Sequence, residues 1–145
     1  MYFQQVIMFK KITINPKEQI LIVCILLAAV TLAVYWQVRH FDFVNFDDLS
    51  YITKNTHVQS GLTLEGIRWA FNTTNADYLW HPLIWLSLML DYQLYGLHPG
   101  AYHMTNLILH ILTTLLLFSL FHRMTGALWK SAFVAAFFAL HPLHV

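Results

Sequence analysis

Two adjacent carboxylates, Asp47 and Asp48, stand in the aromatic stretch HFDFVNFDDLSYI, residues 40–52. A carboxylate among aromatic side chains can take a proton from a hydroxyl group as a general base. The same oxygens can hold Mg²⁺ or Mn²⁺ beside a phosphate. The plainer reading is local: a short helix begins in FDDLSYI and one Asp serves as its N-cap. Residue type leaves all three open, so the catalytic candidates are Asp47 and Asp48.

Histidine supplies the second set of candidates, with nine in 145 residues. His103, Asn106 and His110 recur at i, i+3 and i+7 and so share one face of a helix, with Thr113 or Thr114 continuing the stripe. Polar groups inside an apolar helix face other helices or a cavity. The alternatives for this stripe are interhelical hydrogen bonds and a binding site. Three His-Pro pairs, at 81–82, 98–99 and 141–142, mark helix ends, because a residue before proline is pushed out of the helical region. His81, His141 and His144 suit donation to a phosphate or a sugar hydroxyl, against the plainer role of an interfacial histidine. No H-E-x-x-H run occurs, so zinc is discounted. No Gly-rich phosphate loop, nucleophile elbow or basic patch is present, and no nucleic-acid partner is expected.

These groups need elements to hold them. The chain is 58% hydrophobic and 10% charged, with a mean hydropathy of +0.55. Soluble domains carry about a quarter charged residues, so the composition is that of a membrane protein. Gln19 to Val38 runs uncharged for about 20 residues, enough to cross a hydrocarbon core as a helix. Its end, VYWQVRH, is too bulky for signal cleavage and reads as an uncleaved anchor. The single cysteine, Cys24, lies in this run, as packing or facing lipid.

The spacing predicts an all-α membrane fold: three transmembrane helices and a large extracytoplasmic loop bearing short interfacial helices. The predicted segments are a cytoplasmic N-terminus (1–18), span one (19–38), the loop (39–102), span two (103–122), a cytoplasmic connection (123–130) and span three (131–145). Orientation follows from Lys10, Lys11 and Lys17 before span one, and from Arg123 and Lys130 between the later spans, all read as cytoplasmic. The loop holds six acids against three cations, a net charge of −3. Within it, LTLEGIRWAF predicts a helix with Thr63 as N-cap and Glu65 in its first turn. WHPLIWLSLMLDYQLYG predicts a helix lying along the membrane, with Pro82 in its first turn. Trp80, Trp85, Tyr92 and Tyr95 are expected as its interfacial anchors. Asn72 opens an N-glycosylation tripeptide, NTT. The terminus HPLHV has no helix stop, so the chain reads as a fragment of a longer protein.

The runs FVNFDDLSYI, WHPLIWLSLMLDYQLYGLHPGAYHMTNLILH and ALHPLHV occur in an order that resembles one family. The chain is similar to the N-terminal part of protein O-mannosyltransferase-like membrane proteins of the GT-C glycosyltransferase class, in which tetratricopeptide repeats follow a many-span region. The resemblance covers roughly residues 20–145. It implies an extracytoplasmic catalytic site with the acidic motif at Asp47-Asp48. Its W-H-P-L element falls on Trp80 to Leu83, its Y-H-x-x-N element on Tyr102, His103 and Asn106, and its H-P-L-H element on His141 to His144. The implied reaction is transfer of a sugar from a polyprenyl-phosphate donor to an acceptor hydroxyl on a protein or glycan. One Asp would act as base, and the histidines with Arg39 or Arg68 would stabilise phosphate charge. Metal use varies within the class, so a metal site stays unknown and Mg²⁺ or Mn²⁺ is the only cofactor considered. The repeats and most of the class's spans are absent from this sequence. The expected location is an integral membrane protein of a bacterial inner membrane. The competing function is a non-catalytic anchor or scaffold, or a truncated gene product. A metal transporter using the histidine stripe is disfavoured, because transport sites lie at mid-membrane and the polar residues here gather at one face.

Overall fold

The computed structural model describes residues 15–72 and 80–141, and every regular element among them is helical. Helix α1 is Pro16–Tyr35 and runs on through a 3₁₀ turn, Trp36–His40. Asn15 caps it: its side chain accepts from Lys17 N, and Glu18 reaches back to Asn15 N in a capping box. After an extended stretch, Asp47 and Asp48 open a wound turn that widens into a π-type turn, Leu49–Thr53. Four helices of the loop and return follow: α2 (Thr56–Gln59), α3 (Leu64–Phe71), α4 (Pro82–Tyr95) and α5 (Pro99–Thr125). Gly126 takes the left-handed conformation that closes α5, and α6 is Leu128–Leu140.

Helices α1, α5 and α6 pack into a bundle. Each buries one narrow stripe at helical spacing. On α1 it is Val23, Leu27 and Thr31; on α5, Leu107, His110, Thr114 and Phe118; on α6, Ser131, Ala135 and Ala139. The α6 stripe is small-xxx-small, which lets backbones approach closely where no hydrophobic force acts between helices. Cys24 packs beside this core with Ile20 and Leu115. Thr31, Thr114 and Ser131 satisfy their hydroxyls on carbonyls four residues back, at Leu27, His110 and Ala127. The remaining surface is mostly Leu, Ile, Val and Phe; Leu21, Ile25, Leu116 and Phe133 are all more than half exposed. A surface that apolar on every outer side suits hydrocarbon rather than water.

Two helical runs are long and apolar enough to cross a membrane, Pro16–His40 and Pro99–Thr125. The described part of the expected third span is α6, with 13 residues. At 1.5 Å per residue that is about 20 Å, short of a hydrocarbon core of about 30 Å. Residues 142–145 of that span lie outside the described residues, as do Lys10, Lys11, Asp77, and Thr73 and Thr74 of the NTT tripeptide.

A second packed unit forms from the loop. Val58 of α2, Ala70 of α3, and Trp85 and Met89 of α4 make its core, with Tyr51, Trp69 and Tyr92 against it. Thr63 caps α3 by accepting from Gly66 N, as its sequence predicts, and Pro82 opens α4. Trp85 departs from expectation: it is 2% exposed, stacks on Tyr51 at 4.7 Å and meets Trp69 edge-on at 5.1 Å. The expected interfacial anchor is a core residue, because α2 and α3 cover that face of α4. Trp80 and Tyr95, at the ends of α4, stay exposed.

The two units are locked at one end of the bundle. Gly100, in the first turn of α5, lies against the Arg39 carbonyl so closely that a Cβ there would overlap the oxygen. His103 Nε2 donates to the Asp42 carbonyl (3.4 Å), and Phe43 packs edge-on to Tyr102 (5.3 Å).

Candidate functional site

At this junction the extended stretch, the π turn, α4 and α5 enclose a cleft of about 380 Å³. Four stretches of chain contribute to its lining. The loop supplies Phe43, Asp47, Asp48, Tyr51 and Ile52. Helix α4 supplies Ile84, Leu88 and Asp91 at helical spacing, and His81 stands just before its first turn. Helix α5 supplies Tyr102, His103 and Asn106. Residues more than fifty positions apart therefore meet in one space, and it is more polar than the two apolar hollows beside α6.

The two adjacent acids are not equivalent. Asp48 is half-buried and its Oδ2 accepts from the Val44 amide at 2.7 Å, closing the turn from inside. This is a local structural role, though not that of an N-cap for the following turn. Asp47 is exposed, and its carboxylate accepts no hydrogen bond among the described residues; only its backbone carbonyl is engaged, by the Ser50 hydroxyl. Asp47 is thus the acid free to engage a ligand.

His81 precedes α4 with no capping bond from its side chain. The stripe on α5 divides. His103 and Asn106 face the cleft, whereas His110 is buried in the bundle with its Nε2 3.0 Å from the Ala139 carbonyl. A carbonyl only accepts, so His110 carries hydrogen on Nε2. That bond satisfies one of the end carbonyls of α6. The ring also meets Tyr35 of α1 edge-on at 6.1 Å and stacks on Phe138 at 5.3 Å. His110 pins three helices together.

The remaining candidates lie away from the cleft. The Arg39 guanidinium lies over the Trp36 ring at 4.2 Å, and its Nε donates to His40 Nε2 at 2.9 Å. Arg68 is exposed on α3. His141 ends α6 beside Phe137, at an apolar hollow lined by Phe133, Ala136 and Leu140. The cleft lies level with the first turns of α5, whereas α6 ends near the level of His110. Four to eight residues of α5, roughly 6–12 Å, separate the two levels. His144 lies outside the described residues. Among the described residues no three His, Cys, Asp or Glu side chains converge as a metal site.

One cleft residue escapes a reading based on acid pairs and histidines. Asp91 is 5% exposed, and its Oδ1 accepts from the Thr105 hydroxyl at 2.8 Å. Burial pushes its carboxyl above the ordinary carboxylate range, and the Thr105 bond pulls part of the way back. The neighbouring Tyr102 is also buried, with its hydroxyl donated to the Gly96 carbonyl at 3.0 Å. The signal that marks Asp91 is a lone acid at the position of the Ile84, Leu88 stripe where an apolar residue would continue it.

Comparison with known proteins gives a consistent set of relatives. The chain is 33% identical to protein O-mannosyl-transferase TMTC1 of Homo sapiens over 129 residues, 82% of this chain and 14% of that protein. It is 30% identical to protein O-mannosyl-transferase TMTC3 of Mus musculus over 142 residues, 93% of this chain and 15% of that protein. It is 27% identical to protein O-mannosyl-transferase Tmtc2 of Drosophila melanogaster over 128 residues, 83% of this chain and 14% of that protein. The chain therefore spans a small fraction of the length of the curated relatives it matches. No family model matches, and no solved structure matches.

Proposed function

This chain is a homologue of the protein O-mannosyl-transferases, and on that footing we propose that its cleft is the acid-bearing part of a membrane glycosyltransferase site. The reaction is transfer of a sugar, mannose by the names of the relatives, from a polyprenyl-phosphate donor to a hydroxyl on a protein or glycan. The site lies at the extracytoplasmic face, where a lipid-borne donor and an external acceptor can both reach it.

The observation that carries this reading is the gathering of Asp47, Asp48, His81, Tyr102, His103 and Asn106 around one cleft. Asp47 serves as the base: its carboxylate is free, whereas Asp48 Oδ2 is occupied by the Val44 amide. As the acceptor oxygen attacks the sugar's anomeric carbon, its proton passes to Asp47 and the phosphate leaves with the bond's electron pair. His81 offers a ring donor to the developing phosphate charge and Asn106 an amide, while His103, whose Nε2 is engaged by the Asp42 carbonyl, lines the cleft. Arg39, on the turn that touches α5, holds the frame of the cleft through its backbone, and Arg68 stands exposed on α3, outside the lining residues.

The test is mannose transfer by the intact protein in membranes. Asp47→Asn removes the base and lowers turnover roughly 100- to 10,000-fold. Asp48→Asn leaves an oxygen for the Val44 amide and lowers it far less. Wild-type turnover in Asp47→Asn refutes the assignment.

A further inference from the structure

Asp91 places a buried carboxylate in a cleft that otherwise offers an exposed acid, a half-buried acid and histidine rings. One of its oxygens is spoken for, because Oδ1 accepts from Thr105. The other, Oδ2, accepts no hydrogen bond among the described residues. The side chain is nine-tenths buried and lines the cleft. That oxygen keeps access to the open cleft, where a ligand hydroxyl can reach it in place of water. The Tyr102 hydroxyl beside it points to Gly96 O, so it does not fill that role. Apolar Ile84 and Leu88 flank the acid on its own helix, and Phe43, Tyr51 and Ile52 stand among the other lining residues. An acceptor set among apolar and aromatic surfaces matches one face of a pyranose ring, with C–H groups against the rings and a hydroxyl to the oxygen. The cleft's volume of about 380 Å³ admits a hexose.

We propose that Asp91 is a specificity-determining residue: its Oδ2 accepts a hydrogen bond from one hydroxyl of the bound hexose. This deepens the reading of the cleft as a sugar-transfer site and rests on it. Asp91 forms no bond to the reacting atoms, and its task is to select and orient the sugar. A site built to bond a hydroxyl rejects the analogue that lacks it far more strongly than an apolar pocket does.

The experiment measures binding of methyl α-D-mannopyranoside and its four monodeoxy analogues to the chain in lipid nanodiscs, by ligand-observed NMR. In wild type one deoxy analogue binds at least tenfold more weakly than the parent. Asp91→Asn keeps an oxygen for Thr105 but turns the free acceptor into a donor, so that tenfold preference collapses. Asp91→Glu keeps the acceptor and retains a preference. Circular dichroism checks folding; should the Asn variant unfold, Asp91→Ser is read by the same ratio.

An unchanged analogue ratio in Asp91→Asn overturns the proposal, as does a wild type that binds the parent and all analogues alike. A purely structural Asp91 would alter stability and leave the ratio intact. Asp47→Asn separates the two readings: it lowers transfer while the preference among the deoxy analogues persists. Transfer that survives in Asp47→Asn sinks the base and not the hydroxyl contact. A wild type that binds no mannoside sinks the hydroxyl contact directly.

Discussion

The two acids at 47–48 show how unlike roles follow from one residue type. Asp48 reaches back four positions to a main-chain amide, and Asp47 projects free. Asp48→Ala strips the Val44 amide of its acceptor. Because Val44 is well exposed, water replaces much of the loss, and thermal unfolding should register about 0.5–1.5 kcal/mol at most. Asp91 makes a different prediction, on pH. Its folded-state carboxyl titrates above the ordinary value, so the folded chain binds the proton more tightly than the unfolded chain does. Its contribution therefore favours folding as pH falls toward about 4, the ordinary aspartate value, and opposes folding as pH rises through its raised titration. Tyr92, Tyr102 and Thr105 surround it, and Asp47, Asp48, His81 and His103 share its cleft. The slope of wild type minus Asp91→Asn, from melting temperatures between pH 4 and 7, isolates the one carboxyl. A difference that does not shrink on going to acid contradicts its cause.

At the scale of elements, the cleft depends on how α5 meets the turn that ends the first span. Gly100 permits that meeting because the Arg39 carbonyl occupies the space of a β-carbon. Two backbones cannot give way as a flexible side chain can. Gly100→Ala should thus cost about 1–3 kcal/mol in unfolding of the detergent-solubilised chain, and should loosen the cleft as well. Sequence periodicity located α5 and α4 because their apolar and proline signals are local. It could not see that α4 is covered on one side. Trp85 looks like an interfacial anchor in the linear pattern, and only the approach of α2 and α3 makes it core. The division of the 103–106–110 stripe has the same origin: one face of a long helix meets the loop at its first turns and α6 further along.

For the whole molecule, the bundle and the loop unit meet at one end, with the cleft between them. The expected topology puts Phe46 outside the membrane and Lys130 inside. With Cys24→Ala as background, a cysteine at Phe46 should react with an impermeant maleimide on intact cells, and one at Lys130 only after permeabilisation. Labelling of both from the same side would overturn the arrangement.

Composition and hydropathy alone marked a helical membrane chain and led to an expectation of three spans, of which two helical runs are long and apolar enough to cross. Residue order alone marked the acids, the His-Pro boundaries and the kinship to mannosyl-transferases. These are properties of short windows, in which burial in lipid and helix punctuation act on neighbouring residues. Which acid is free, which histidine is a pin, and that Asp91 belongs to the site were decided by tertiary structure. Each depends on what a side chain meets across helices that are distant in sequence, and linear spacing carries no information on that encounter.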